Sequence, residues 1–217
     1  MDALAPHVGV FKIGLELFIA AGPRVVTASV ARRPTVLDLK LHDIPETVDR
    51  AVARAVDLGV MGVTLHVQQQ AALEKAAKRV EGTNTKLLAV TLLTSMDRND
   101  MRDLAFHACE PEDRVNNLAR FAYACGISGF VCSPKEVAMV RLRAPDAFLM
   151  VPGIRPEGTA AGDQKRAGTP AQAILDGADL LVVGRPIRDA DSPAQAALEI
   201  VSEIDTALLA KRCLSPT

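Results

Sequence analysis

The stretch "VLDLKLHDIP", Val36 to Pro45, reads as a β-strand running into a helix start. Strand side chains alternate with period two, which places Leu37, Leu39 and Leu41 on one face and Asp38 and Lys40 on the other. The leucine face suits a covering helix. The opposite face carries an acid beside an ammonium, and Asp43 follows just past the strand end. Charges are costly in a packed interior unless paired. The row is therefore either a buried ion pair that holds register or a charge array at the mouth of a barrel. The array is the stronger reading, because apolar replacement of a buried pair is often neutral or stabilising. Lys12, near the end of the preceding strand, adds a second ammonium to it.

Working outward, short apolar runs alternate with amphipathic stretches. The runs are "VGVFKI" (8–13), "TVLDLKL" (35–41), "GVTLHV" (62–67), "KLLAVTLL" (86–93), "GFVCS" (129–133), "FLMVPG" (148–153) and "DLLVVG" (179–184). Helices are predicted over Leu15–Arg32 with a break at Gly22-Pro23, and over Pro45–Leu58, Gln69–Val80, Glu112–Cys125, Lys135–Leu142, Pro170–Asp176 and Pro193–Lys211. Repeated βα units imply a parallel sheet buried on both faces. Lys12, Asp38, Lys40, His66, Thr94, Arg155 and Gly184-Arg185 fall in or just after strands, towards their C-terminal ends. That distribution suits a TIM (β/α)₈ barrel, α/β in class, whose chemistry sits on that rim. An open doubly wound sheet is the runner-up, but no G-x-G-x-x-G follows the first strand.

A barrel needs eight strands, and seven are visible. The loops "PGIRP" and "VGRP" after the last two resemble those after strands 7 and 8 of phosphate-binding barrels. The strand not seen is then the first, and "ALAPHVG" reads as the tail of the first helix. The expectation is one barrel domain over 1–217, shortened at its N-terminus by about 15 to 25 residues.

The chain of 217 residues is 49% apolar, enough for a large core, with no Trp and one Tyr. Its net charge is −1 without a basic run, so neither base stacking nor polyanion binding is expected. Cys109, Cys125, Cys132 and Cys213 have no metal-ligand spacing, and free thiols in a reducing, cytoplasmic setting are expected. No apolar run reaches membrane-spanning length, and no leader pattern is visible at Met1.

Other segments carry candidate chemistry. "VPGIRPEGTAAGDQKRAGTP" (151–170) is a long loop of the kind that closes over ligands. Arg155 at its base and Gly184-Arg185 suit a phosphate, and Gln164 would add a neutral hydrogen bond. In "LLTSM" (92–96), Thr94 and Ser95 either read an amide edge of a ligand or cap a helix. Asp43 has a local alternative as a helix-start residue before Pro45. His42 and His66 read as satisfied rim histidines rather than ligands.

Together these motifs closely resemble the orotidine 5′-phosphate decarboxylase family, bacterial type. "FKIGLELF" looks like its segment after the second strand, and "DLKLHDIPETV" is similar to its D-x-K-x-x-D-I-P signature. "VTLLTSMD", "PGIRP", "GDQKR" and "VGRPI" follow in the family's order, so the resemblance covers nearly the whole chain. It implies cofactor-free decarboxylation of orotidine 5′-monophosphate to UMP in pyrimidine biosynthesis, with no metal. Lys12, Asp38, Lys40 and Asp43 would form an alternating Lys-Asp-Lys-Asp array. Lys40 would protonate C6, and Asp43 would reach the neighbouring subunit's site in a homodimer. Residues from Asp38 to Thr47, including Ile44, would border the nucleotide, and Thr94 would contact the base. Arg155, Gln164, Gly184 and Arg185 would hold the 5′-phosphate. The chain departs from the family in lacking the first-strand Asp that binds a ribose hydroxyl, and in "LHVQQQAAL", where a Gly-containing segment is usual. Two readings compete. One is a metal-dependent phosphosugar decarboxylase or aldolase of the same superfamily, against which Lys12 places a fixed cation in the metal's seat. The other is an inactive nucleotide-binding remnant.

Overall fold

The computed structural model describes residues 1–104, 109–156 and 166–214. They divide between two compact units, Met1–Thr91 with Leu118–Phe130, and Leu92–Asn117 with Val131–Thr217.

In chain order the elements are β1 (Phe11–Gly14), α1 (Leu15–Ala21), α2 (Pro23–Val30), β2 (Thr35–Leu41), α3 (Pro45–Asp57), β3 (Gly62–His66), α4 (Gln70–Val80) and β4 (Lys86–Val90). Then come α5 (Arg98–Asp103), α6 (Pro111–Ala124), β5 (Gly129–Val131), a 3₁₀ turn (Pro134–Glu136), α7 (Val137–Arg143), β6 (Phe148–Val151), α8 (Pro170–Leu175), β7 (Leu180–Leu181), α9 (Arg185–Arg188) and α10 (Pro193–Leu214). Strands follow one another in chain order in the sheet. Pairing is parallel from β1 to β2, β2 to β3, β3 to β4 and β6 to β7. This is the (β/α) barrel architecture, with seven of its strands among the described residues.

All seven predicted strands form, most of them shorter at the C-terminal end than the apolar runs suggest. Gly22 breaks the first helical stretch where expected. It adopts φ 63° between α1 and α2, a conformation that costs glycine little, and Pro23 opens α2. "ALAPHVG" forms helical turns, in which the Ala5 N–H donates to Met1 O and the Val8 N–H to Leu4 O. The short helices α5 and α9 were not predicted, since six and four residues hold too little periodicity to read. Asp97 caps α5 by accepting from the Asn99 and Asp100 N–H groups, so Thr94 and Ser95 are not its caps.

In the first unit, α3 buries Val48, Val52 and Ala55 along one stripe, and α4 buries Ala72, Leu73 and Ala76. Arg79 of α4 donates two bonds to the buried Asp49 of α3, at 2.8 and 2.7 Å. These bonds, more than the opposing effect of burial, hold the Asp49 carboxyl below its ordinary range. Strand residues Val36, Leu37, Val63, Leu65, Leu88 and Ala89 complete that core. In the second unit, Leu149, Met150, Val151 and Ile154 are buried with Val137, Val140, Ala173 and Ile174. No described helix is long and apolar enough to cross a membrane.

Candidate active site

In the first unit Lys12, Asp38 and Lys40, three of the four residues of the expected array, meet from β1 and β2. Lys12 Nζ lies 2.9 Å from Asp38 Oδ2, and Lys40 Nζ lies 2.8 Å from Asp38 Oδ1. Asp38 is only 7% exposed, whereas the lysine side chains are 32% exposed, so one buried carboxylate is clasped by two ammonium groups that reach towards solvent. Burial alone would raise the Asp38 pKa. The Lys12 charge, hydrogen bonds from Lys40 and Lys12, and the Lys40 charge together outweigh it, and the carboxyl titrates below its usual range.

The geometry of Lys40 departs from simple alternation. Leu37 pairs with Val63 and Leu41 with Leu65, so four steps along β2 face two along β3. The surplus is taken up as a bulge, in which Lys40 adopts φ 50°, the only positive φ among the described non-glycine residues. Leu39 and Leu41 are correspondingly half-buried, unlike the fully buried Leu37. The Lys40 N–H donates to Thr64 Oγ1 at 2.9 Å, and that hydroxyl donates to Asp38 Oδ1 at 2.9 Å. Thr64 is fully buried and was not singled out from the sequence. Its signal was available: "GVTLH" alternates Gly62, Thr64 and His66 against Val63 and Leu65, and a polar residue on a buried strand needs a partner.

Asp43 stands apart from the clasp. It is exposed, and its Oδ1 accepts the N–H of Ile44 at 2.7 Å. Ile44, 62% exposed, is the N-cap of α3, and the Asp43 side chain does not cap that helix. Thr47 is exposed in the first turn of α3. The His42 and His66 rings sit 5.5 Å apart. Burial, then the charges of His42 and Lys40, lower the His66 pKa against the opposing charge of Asp38.

In the second unit, β6 and β7 pair through Met150↔Leu180 and Val151↔Leu181, so Arg155 and Gly184-Arg185 follow neighbouring parallel strands at the same end. The Arg155 N–H donates to Gly168 O at 2.9 Å, and the Gly168 N–H to Gly153 O at 3.2 Å. Gly184 and Arg185 are exposed, with Arg185 as the first residue of α9. Thr94 is half-buried beyond β4. Gln164 lies outside the described residues.

A second buried charge pair was not anticipated. Glu136 is fully buried and Arg166 is 4% exposed, and Arg166 Nη1 donates to Glu136 Oε1. The Glu136 carboxylate also accepts the Ser133 N–H at 2.8 Å and the Ser133 hydroxyl. Arg166 Nη2 donates to the carbonyls of Leu92 at 3.0 Å and Leu93 at 2.9 Å.

Residues 1–200 match the model of the orotidine 5′-phosphate decarboxylase / HUMPS family. The chain is 50% identical over 202 residues to the orotidine 5′-phosphate decarboxylase of Anaeromyxobacter sp. strain K, covering 92% of this chain and 88% of that one. It is 44% identical over 201 residues to the enzyme of that name from Erythrobacter litoralis, covering 92% and 89% of the two chains. The crystal structure of orotidine 5′-phosphate decarboxylase from Lactobacillus acidophilus superposes with a TM-score of 0.77 at 32% identity, over 89% of this chain and 86% of that one. With half of its aligned residues shared with a named decarboxylase and the family model spanning both of its units, this chain belongs to the orotidine 5′-phosphate decarboxylase / HUMPS family.

Proposed function

We infer that the chain, as one barrel domain over 1–217, decarboxylates orotidine 5′-monophosphate to UMP without a cofactor. The observation that carries this reading is the Lys12–Asp38–Lys40 clasp, set in a chain 50% identical to a named decarboxylase. Loss of carbon dioxide leaves an electron pair on C6 of the pyrimidine. A site without an electron sink must stabilise that charge with groups already in place. Lys40 supplies a cation there and is the proton donor to C6. The bond from C6 to the carboxyl carbon breaks, its electron pair stays on C6, and a proton from Lys40 Nζ completes the product. Asp38, kept ionised by its two lysines, faces the departing carboxylate and holds both ammonium groups in position.

Arg155, Gln164, Gly184 and Arg185 bind the 5′-phosphate in this reading, and Thr94 contacts the base. Binding energy from the phosphate, remote from the reacting carbon, goes into orienting the substrate and so appears in the rate. The working unit is a cytoplasmic homodimer in which Asp43, Ile44 and Thr47 border the partner's nucleotide. What supports it is the exposure of Asp43 and Ile44 on the side of β2 that leads into α3.

The second reading is a metal-dependent phosphosugar decarboxylase or aldolase of the same superfamily. Against it stands Lys12 Nζ, 2.9 Å from Asp38, where a divalent cation would need an oxygen ligand instead. The test is the fall in orotidine 5′-monophosphate absorbance on mixing with the protein, with and without EDTA. A fall that is indifferent to EDTA is expected. No fall, or one that EDTA stops, overturns the reading.

A further inference from the structure

We propose that Arg166 is a positioning residue that ties the segment preceding Thr94 to the segment carrying Arg155, so that phosphate binding and base placement are mechanically coupled. The inference rests on the roles given above to Thr94 and Arg155. Neither Arg166 nor Glu136 is among the residues assigned to the substrate.

The sequence gives no reason to bury either group: Glu136 opens a helix, and Arg166 sits in a loop thirty residues away. Yet the pair is buried, and an isolated buried pair is a poor source of stability compared with apolar side chains of similar volume. What the guanidinium does instead is geometric. Its planar fork spans a carboxylate on one side and two consecutive carbonyls on the other, an arrangement that a lysine ammonium cannot reproduce. Its Nε is buried and finds no hydrogen-bond partner among the described residues, so both terminal nitrogens are committed while one donor is left without one there. That is an expensive way to fill space and an effective way to fix Leu92 and Leu93, the two residues before Thr94.

On its other side Arg166 leads directly to Gly168, which is clasped between Gly153 and Arg155 by backbone bonds and by a parallel bridge to Ile154. A Cβ at Gly168 would stand 2.6 Å from Pro134 Cβ, so this backbone is pressed against the 3₁₀ turn that presents Glu136. Glu136 therefore holds Arg166 from the same turn on which Gly168 rests. A shift at Arg155 passes through Gly168 to Arg166 and from there to the carbonyls before Thr94. A misplacement of about 1 Å at such a point is enough to cost about 10²-fold in rate.

The experiment compares orotidine 5′-monophosphate with orotidine, the same nucleoside without phosphate, in the presence and absence of phosphite dianion. Wild-type turnover and its activation by phosphite check the underlying reading; if wild type fails here, that reading fails and not the coupling. In Arg166→Lys, which keeps charge and bulk, the proposal expects the rate on the phosphorylated substrate to fall at least about tenfold more than the phosphite-free rate on orotidine. Phosphite activation should shrink by the same factor. In Arg166→Ala, added guanidinium should restore part of that activation. Urea unfolding of each variant identifies those that are folded, and Arg166→Lys is decisive if Arg166→Ala is not. Equal losses on both substrates, or a folded Arg166→Lys with full phosphite activation, overturn the proposal.

Discussion

The Thr64 hydroxyl accepts the backbone N–H of Lys40 at 2.9 Å and so replaces the sheet bond that the bulge in β2 withdraws. It is also a donor to Asp38, which makes Thr64 the hinge between the unusual backbone of Lys40 and the carboxylate that holds the Lys40 side chain. Replacing Thr64 by the isosteric Val keeps the volume and leaves a buried amide and a carboxylate oxygen each short of a bond. We expect a stability loss of about 1–3 kcal/mol in urea unfolding, together with a fall in kcat larger than any change in KM. Thr64→Ser should recover most of both, because the hydroxyl is what the site uses.

Lys40→Ala removes the proposed proton donor and one of the two cations over Asp38. Turnover should fall by about 10⁴-fold or more, the combined scale of a lost general acid and a lost electrostatic stabiliser. UMP should still bind measurably by calorimetry, since the phosphate end is untouched. Near-normal turnover would remove Lys40 from the mechanism.

Arg185→Ala should lower kcat/KM on orotidine 5′-monophosphate by about 10–100-fold, the worth of a charge-assisted bond to phosphate. Phosphite dianion should restore part of the lost activity. Lack of any response to phosphite would argue that Arg185 does not serve the phosphate.

Asp38 and His66 mark two windows in the pH dependence of stability, with Asp49 sharing the lower one. Both Asp38 and His66 have folded pKa values below their ordinary ones. Each therefore contributes stability that is fully present above its unfolded pKa and lost as pH falls through the folded value. For His66 the loss begins near pH ~6.5, and for Asp38 near pH ~3.9. The urea midpoint should decline in two steps on acidification. The upper step should flatten in His66→Gln, and its persistence there would assign it to another group.

Much of this was legible in the sequence because the local signals agree with one another. Alternating β-branched runs and Pro-led helices mark the strands and their covers, and the Gly22-Pro23 break falls where the backbone needs it. Lys12, Asp38 and Lys40 stood out because charges on a barrel strand have few explanations, and they meet as expected. The period-two rule did not foresee the bulge, since Lys40 meets Asp38 from a left-handed backbone rather than from simple alternation. Glu136 and Arg166 carry no signal of their own in the sequence, and Thr64 only that of a polar residue on a strand. Their roles depend on contacts across 26 and 30 residues, which no local pattern encodes.

The left-handed backbone at Lys40 sets the fold against the chemistry at a single position. A side chain there costs about 1–2 kcal/mol, which glycine alone would avoid, while the proposed proton transfer requires an ammonium. Comparing two inactive variants isolates that conflict, because both lose the ammonium and differ only at Cβ. Lys40→Gly should be more stable than Lys40→Ala by about 0.5–1 kcal/mol, the reverse of the usual order inside a strand. Selection for foldability alone would drive this position to glycine, and on the proposed role it is the proton transfer that holds the lysine there.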